Sequence, residues 1–514
     1  MKNKSFLLVI VVLLCSIIDY STQTDCDVYI KSIPTIIDSS STTNSSSSSS
    51  SSNVCGDSWE NACGSLAQGF QVCSNLGSNI NYQLMNGIYK LEDGDVSMDY
   101  GTMNVTFSGQ LNVVFNLGSL TRPFFVTNNT TKISIVKINY IKFTNATMGV
   151  ISNLQSKTEF YIQSCTFLNC NYATSNGVSL VLFDSTTPVM FIQNTVFINN
   201  SIQSNNKNFG DISLIDSTSA YVLLTNCSFS NNNGFNTLIS GVGGEIMFNI
   251  TDFSDNIVSG NGLLQLINQT ETVQTIENVH FINNGLTTGI REGGSLVSTS
   301  NAFVSIKSCE FTNNGLTLIR YMLDKGQGSP EIFNNITNCQ FQNNSGSIQI
   351  IQSNTTFYVT NNQFTSNQGP IFNVSGTTLN LVNGVFNENS GTLFSLYQSN
   401  VSIQGISLSN NKDFQLVSCN SSTISLDNID NSKQTTDNSN LINCNQCNLT
   451  SINSDNYQCN SDESKSKKNT LTRGQIIAIA LSSFFFAVII SLGILYIVKR
   501  NKSKGDGIQK PLLS

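Results

Sequence analysis

A short phrase returns along the chain: Cys165-Thr-Phe167-Leu-Asn169, Val196-Phe197-Ile-Asn199-Asn200, Cys227-Ser-Phe229-Ser-Asn231-Asn232, His280-Phe281-Ile-Asn283-Asn284, Cys309-Glu-Phe311-Thr-Asn313-Asn314 and Cys339-Gln-Phe341-Gln-Asn343-Asn344. Weaker copies centre on Phe143, Phe253, Phe364, Phe386, Leu408, Ile429 and Ile452. The spacing runs from 21 to 32 residues and ends in steps of 23, 22, 22, 21 and 23, so the upstream variation reads as loop insertion on a fixed core period. A unit this short has too little apolar surface to fold alone. Its copies must stack and share one core, which excludes the set of separate domains that 514 residues would otherwise suggest.

Two successive periods superimpose position by position. Ile371, Val374, Leu379, Leu381 and Phe386 return 22 residues later as Leu393, Leu396, Val401, Ile403 and Leu408. The alternation Leu379-x-Leu381 and Val401-x-Ile403 gives short strands with one buried face. Gly, Asn and Ser between them supply turns. Three strands per period, stacked about 4.8 Å apart, make parallel sheets around a continuous core: an all-β, parallel β-helix solenoid. A propeller needs about 40 residues per blade, and the leucine-rich phrase of a horseshoe is absent. The Asn after each motif Phe is read as structural. Its amide can bond to its own turn and to its equivalents in neighbouring coils, and it tolerates the left-handed backbone of a tight corner.

These phrases, with Gly243-Gly244-Glu245-Ile246 and Gly293-Gly294-Ser295-Leu296, resemble the repeats of the pectin-lyase-like superfamily of right-handed parallel β-helices, and more narrowly those of chlamydial polymorphic membrane proteins. The start is similar too: Asp57-Ser-Trp59-Glu-Asn-Ala-Cys63-Gly-Ser65-Leu66 leads an amphipathic segment, followed by Tyr82-Gln-Leu84-Met-Asn86-Gly87-Ile88-Tyr89. The resemblance spans roughly residues 54 to 455. It implies a right-handed solenoid with a helix over its first coil. The Ser-rich bias and a single apolar segment near the C-terminus look more like the β-helix surface proteins of social amoebae.

Residues 1–22 combine Lys2 and Lys4 with an apolar run from Phe6 and read as a signal peptide. Residues 476–498 carry no charge and are long enough for a transmembrane α-helix. Lys499, Arg500, Lys502 and Lys504 follow it as a stop-transfer flank. The expected organisation is a β-helix ectodomain over 23–460 with a disordered Ser-rich insertion at 39–53, a juxtamembrane linker at 461–475, the helix, and a cytoplasmic tail at 499–514. That describes a single-pass type I protein of the plasma membrane. Asn-x-Ser/Thr sites make Asn44, Asn104, Asn128, Asn129, Asn145, Asn199, Asn226, Asn249, Asn268, Asn335, Asn343, Asn354, Asn373, Asn400, Asn420 and Asn448 glycosylation candidates.

Charged residues make up only 11% of the chain, and between the two apolar segments 18 basic residues face 30 acidic ones. That balance excludes nucleic acid as a partner. In an oxidising compartment Cys26, Cys55, Cys63 and Cys73 at the start, Cys444, Cys447 and Cys459 near the end, and Cys309 with Cys339 in neighbouring coils are disulfide candidates. The Cys444-x-x-Cys447 pair lacks a nearby His for a zinc site. The Asn-Thr-Asp, Gly-His-Gly and Arg-Ile-Lys motifs of the superfamily's hydrolases do not occur. His280 stands beside Phe281 and reads as a surface or core residue, and Asp427, Asp430 and Asp455 share a wall without flanking motifs. No catalytic residue, metal site or cofactor is therefore expected. The sequence favours a non-enzymatic cell-surface glycoprotein whose solenoid serves adhesion or recognition of an extracellular glycan or surface protein. A polysaccharide lyase or hydrolase and a structural cell-coat protein are the alternatives.

Overall fold

The computed structural model describes residues 25–451 apart from residues 33–54, 75–78, 99, 101–102, 128–133, 155–156, 173–178, 185–188, 203–211, 259–261, 268–272, 287–293, 323–333, 352–355 and 435–440. The expected signal peptide, Ser-rich insertion, linker, transmembrane helix and tail lie outside the described residues, as do Asn44, Asn128, Asn129, Asn268, Asn354, Asp455 and Cys459. Among the described residues no helix is long and apolar enough to cross a membrane.

Most coils contribute three strands, as the alternating pattern requires, and four coils add a short extra strand, pairing Asn171–Tyr172 with Ser201–Ile202 and Ile257–Val258 with Gly285–Leu286. Of the three, two join a broad parallel sheet of 26 strands and one joins a narrower parallel sheet of 13. One period shows how the residues produce this. Thr378–Val382 turns Leu379 and Leu381 inward, Asn383 bends the chain at φ 57°, and Val385–Asn387 turns Phe386 inward. A second corner at Glu388 leads into Ser390–Tyr397 of the narrow sheet. The next coil repeats this in register: Leu379 pairs with Val401, Leu381 with Ile403, Phe386 with Leu408 and Val374 with Leu396. The register shifts at Ser108/Val113, at Ser390/Thr392 and at Ser407/Ser409. Asp430 pairs with Ser407 across an irregular ladder, so Ile429 falls ahead of its strand instead of at the motif-Phe position.

The motif phenylalanines form one internal column. From Phe143 through Phe167, Phe197, Phe229, Phe253, Phe281, Phe311, Phe341 and Phe364 to Phe386, successive centroids lie 4.6 to 5.2 Å apart, with planes within 21° of parallel. That spacing is the strand spacing itself, so register dictates the stacking.

The asparagines divide the two tasks foreseen for a single one. The residue two after Phe takes the left-handed conformation at the exposed corner, as in Asn199, Asn231, Asn283, Asn313 and Asn343. The residue three after Phe is buried and forms a ladder through Asn200, Asn232, Asn256, Asn284, Asn314, Asn344, Asn367, Asn389 and Asn411. Each ladder amide also donates to the carbonyl of the Phe one coil back, as Asn284 does to Phe253 at 2.8 Å. Inward carbonyls freed at the corner are thereby satisfied without water.

The N-terminal end is closed by the helix Leu66–Ser74, which buries Leu66, Gly69 and Cys73. Gly69 is required there, because a Cβ would stand 2.7 Å from Cγ1 of Val28. The strand Asp25–Ile30, which the sequence pattern did not reveal, pairs with Asn79–Leu84 and forms the first rung. In the strand Gly87–Lys90, the Tyr89 hydroxyl is 2.9 Å from the Ile30 carbonyl and 2.7 Å from that of Met85, and burial pushes its pKa up to about 12.

Disulfides join Cys26 to Cys73 and Cys55 to Cys63 in this cap. A third joins Cys447 to Cys419, a residue not foreseen as a disulfide partner; Cys444 is also disulfide-bonded. Cys309 and Cys339 were expected to pair, but both are free and buried. They occupy equivalent inward positions just before the strands Glu310–Thr312 and Gln340–Gln342 of adjacent coils. Their Cβ atoms point the same way and stand about one strand spacing apart, wider than the Cβ separation of about 3.8 Å usual in a disulfide.

Candidate active site

Outward positions of the broad sheet also stack into columns, and one is ionisable. Asp252, His280 and Glu310 each stand one residue before a motif Phe on successive coils, and the ladder pairs Asp252 with His280 and His280 with Glu310. Strand alternation sends Phe253, Phe281 and Phe311 into the core and these three side chains to solvent. Nδ1 of His280 lies 2.7 Å from Oδ1 of Asp252, with both side chains about half exposed. This bond fixes the ring orientation and leaves Nε2 free to point away from the carboxylate. Glu310 is half-buried, and its Oε1 accepts a hydrogen bond from Thr312 Oγ1 at 2.8 Å.

A second column runs beside it on the first strand of each coil, before the corner. Asn249, Glu277 and Lys307 are in register there. Glu277 and Lys307 are exposed, and Nδ2 of Asn278 donates to Oδ1 of Asn249 at 3.3 Å. The two columns place four carboxylates, counting Asp255 at the next corner, around a single Lys and the imidazole. Among the described residues no group of three or more His, Cys, Asp or Glu side chains is arranged to hold a metal ion.

The corner between these columns is strained at one point. Its neighbours are Asn226 and Asn278, residues that accept φ near +50° readily; between them stands Ile250, at φ 50° and 53% exposed. A β-branched residue in this conformation costs on the order of 1–2 kcal/mol, and such outliers cluster at functional sites.

Of the other residues singled out from sequence, Asp427 accepts a hydrogen bond from Gln404 Nε2 at 3.3 Å, and hydrogen bonds from Ser432 hold the Asp430 carboxyl below the usual range. The structure does not bring them into a cluster with His280. Asn145, Asn199, Asn226 and Asn343 occupy exposed left-handed corners, and Asn373, Asn400 and Asn448 are also exposed. Asn104, Asn249, Asn335 and Asn420 are half-buried. The Asp252, His280, Glu310 column was missed because no two of its members are near in sequence. The signal was present nonetheless, since aligning the repeats on Phe253, Phe281 and Phe311 puts the three directly above one another.

No protein-family model matches the chain. No curated protein matches it either. Among solved structures it is similar to the A-module of the mannuronan C-5 epimerase AlgE4 of Azotobacter vinelandii, at 10% identity over 76% of this chain and 94% of that one, with a TM-score of 0.29. It is also similar to a mannuronic acid-specific polysaccharide family 6 lyase from human gut microbiota, at 10% identity over 76% and 88% with a TM-score of 0.31. The surface adhesin PfbA of Streptococcus pneumoniae matches at 11% identity over 75% and 87%, with a TM-score of 0.28. These likenesses concern the fold alone. The narrower resemblance to chlamydial and amoebal surface proteins gains no support from them.

The expectation of a non-enzymatic adhesion ectodomain is corrected here. The wall read as inert carries an ordered acid, imidazole and acid column.

Proposed function

We propose that the chain hydrolyses glycosidic bonds of an uncharged polysaccharide, with Asp252 and Glu310 as the two working carboxyls. The observation that carries this reading is the column itself: two carboxyls on one exposed wall, separated by the coil that bears the protein's one His. Two strand spacings put their Cα atoms about 9–10 Å apart, near the upper end of the roughly 6.5–9.5 Å over which an acid and a base can flank a sugar bond and admit a water. Asp252, oriented by His280, is the base that takes a proton from water. Glu310 is the acid that gives a proton to the leaving oxygen. Breaking the C–O bond and forming a new one to water requires no other reactant.

Charge selects the substrate. Asp252, Asp255, Glu277 and Glu310 outnumber Lys307, so a polymer of uronates is repelled and a neutral one is not. Elimination depends on a proton made acidic by an adjacent uronate carboxyl, so exclusion of uronates also disfavours the lyase route. The test incubates the full chain with neutral and uronate polysaccharides and follows reducing ends and unsaturated products separately. New reducing ends from a neutral polymer, with inversion at the anomeric carbon, are expected. Unsaturated products, or no products at all, would overturn the proposal.

A further inference from the structure

Half-buried apolar side chains point outward from the coils that precede the ionisable column. Tyr161, Phe191, Leu223 and Met247 are in register on successive strands of the broad sheet, and the next position in their row is Thr275, on the strand that also carries His280. Tyr161 and Phe191 stack with centroids 5.1 Å apart, and Tyr221 meets Phe191 edge-on at 6.3 Å. The row is bordered by hydrogen-bonding groups toward the corner and by the mixed row of Glu159, Val189, Tyr221 and Glu245 on the other side. Gln163, Gln193 and Thr225 form the adjacent row toward the corner, and on the other side Glu159 accepts a hydrogen bond from the Tyr161 hydroxyl at 3.0 Å. Burial also holds the Glu245 carboxyl above the usual range there.

An aromatic strip with hydrogen-bonding groups along its flanks matches a sugar ring, whose C–H face stacks on an aromatic ring while its equatorial hydroxyls reach to either side. We infer that Tyr161, Phe191 and Tyr221, continued by Leu223 and Met247, bind an extended uncharged glycan chain lying along the stacking direction of the coils. Asp252, His280 and Glu310 form a separate row on the same strands, past the corner at Ile250 and Asn278. This deepens the hydrolase reading and rests on it for the fate of the glycan, but binding can be measured apart from cleavage.

The test uses full-length Asp252→Asn protein, which cannot consume the probe. Its migration is followed in gels containing a soluble β-glucan, a galactomannan or polygalacturonate. Retardation by at least one neutral polymer and not by polygalacturonate is expected, weakened about tenfold by combining Tyr161→Ser with Phe191→Ser and retained in Phe191→Tyr. Because these side chains lie on the outer wall, circular dichroism and the urea midpoint should stay at the parent values. Equal retardation of the double variant, or none by any neutral polymer, would overturn the inference. So would a sedimentation shift showing that Phe191 instead holds two copies together. If binding behaves as expected while the parent protein releases no reducing ends, the strip stands and the hydrolase reading falls.

Discussion

Oδ1 of Asn284 receives two hydrogen bonds from Asn256, one from the backbone N–H and one from the side-chain Nδ2, each at 3.1 Å. One amide oxygen therefore satisfies two buried donors of the preceding coil, while Nδ2 of Asn284 serves Phe253 and Asn314. Asn284→Ala strips both donors of that acceptor in a site closed to water. A loss of about 3 kcal/mol is expected in urea unfolding, since each buried polar group left unpaired costs about 1–3 kcal/mol. A loss below about 1 kcal/mol would mean that water enters the ladder.

Ile250→Asn should make the protein more stable and less active. An Asn relieves the left-handed strain, worth about 1 kcal/mol, and matches Asn226 and Asn278 on either side. Removing an exposed apolar side chain beside Asp252 should raise KM more than it lowers kcat. An unchanged or lower urea midpoint would count against strain at this corner.

Asp252→Asn and Glu310→Gln should each lower kcat by about 10² to 10⁴, the usual contribution of a positioned acid or base. His280→Ala, which removes only the group that orients Asp252, should cost less than either. Thermal midpoints should barely move, because Asp252 and His280 are about half exposed and Glu310 is outside the core. Equal activity of Asp252→Asn and the parent protein would remove Asp252 from the chemistry.

Of the five buried free thiols among the described residues, the four at Cys165, Cys170, Cys227 and Cys309 make the solenoid sensitive to alkali. Burial pushes the pKa of Cys165 and of Cys170 up to about 12 and that of Cys227 up to about 11, from 9.0 for a solvated thiol. Burial likewise pushes the Cys309 thiol up, whereas at Cys339 burial is outweighed by hydrogen bonds from Cys309 that hold the thiol below its usual value. At the four raised thiols folding favours the protonated form, so this stability is complete below pH 9 and is lost progressively as pH rises toward 11 and 12, where only the unfolded chain has already released its protons. Iodoacetamide at pH 8 should leave these five unmodified until denaturant is added. Rapid labelling of Cys165 or Cys227 in the native protein would show that their wall opens.

The solenoid was legible because its information is periodic. Leu379, Leu381 and Phe386 announce their partners Val401, Ile403 and Leu408 by a constant offset, and the ladder realises that offset. The strand Asp25–Ile30 was not legible, since it belongs to no repeat and acquires its partner only across the cap, 54 residues away. The split between Asn283 and Asn284 was hidden for another reason. Both are the same residue type, and only the backbone angle at the corner decides which one faces the core. The candidate site lay between these cases: its columns follow from the repeat, but proton chemistry depends on side-chain geometry such as the 2.7 Å contact of His280 with Asp252.

Consecutive ladder asparagines are separated by 32, 24, 28, 30, 30, 23, 22 and 22 residues, yet each arrives at the same bond. The gene is therefore free to gain or lose codons between these marks without moving the next coil. Unequal recombination that joins one ladder Asn codon to another yields a chain one turn longer or shorter with matched faces at the seam. The same event out of phase strands a phenylalanine in water. Lineages carrying this architecture are expected to differ by whole turns and by loop length, and seldom by anything in between.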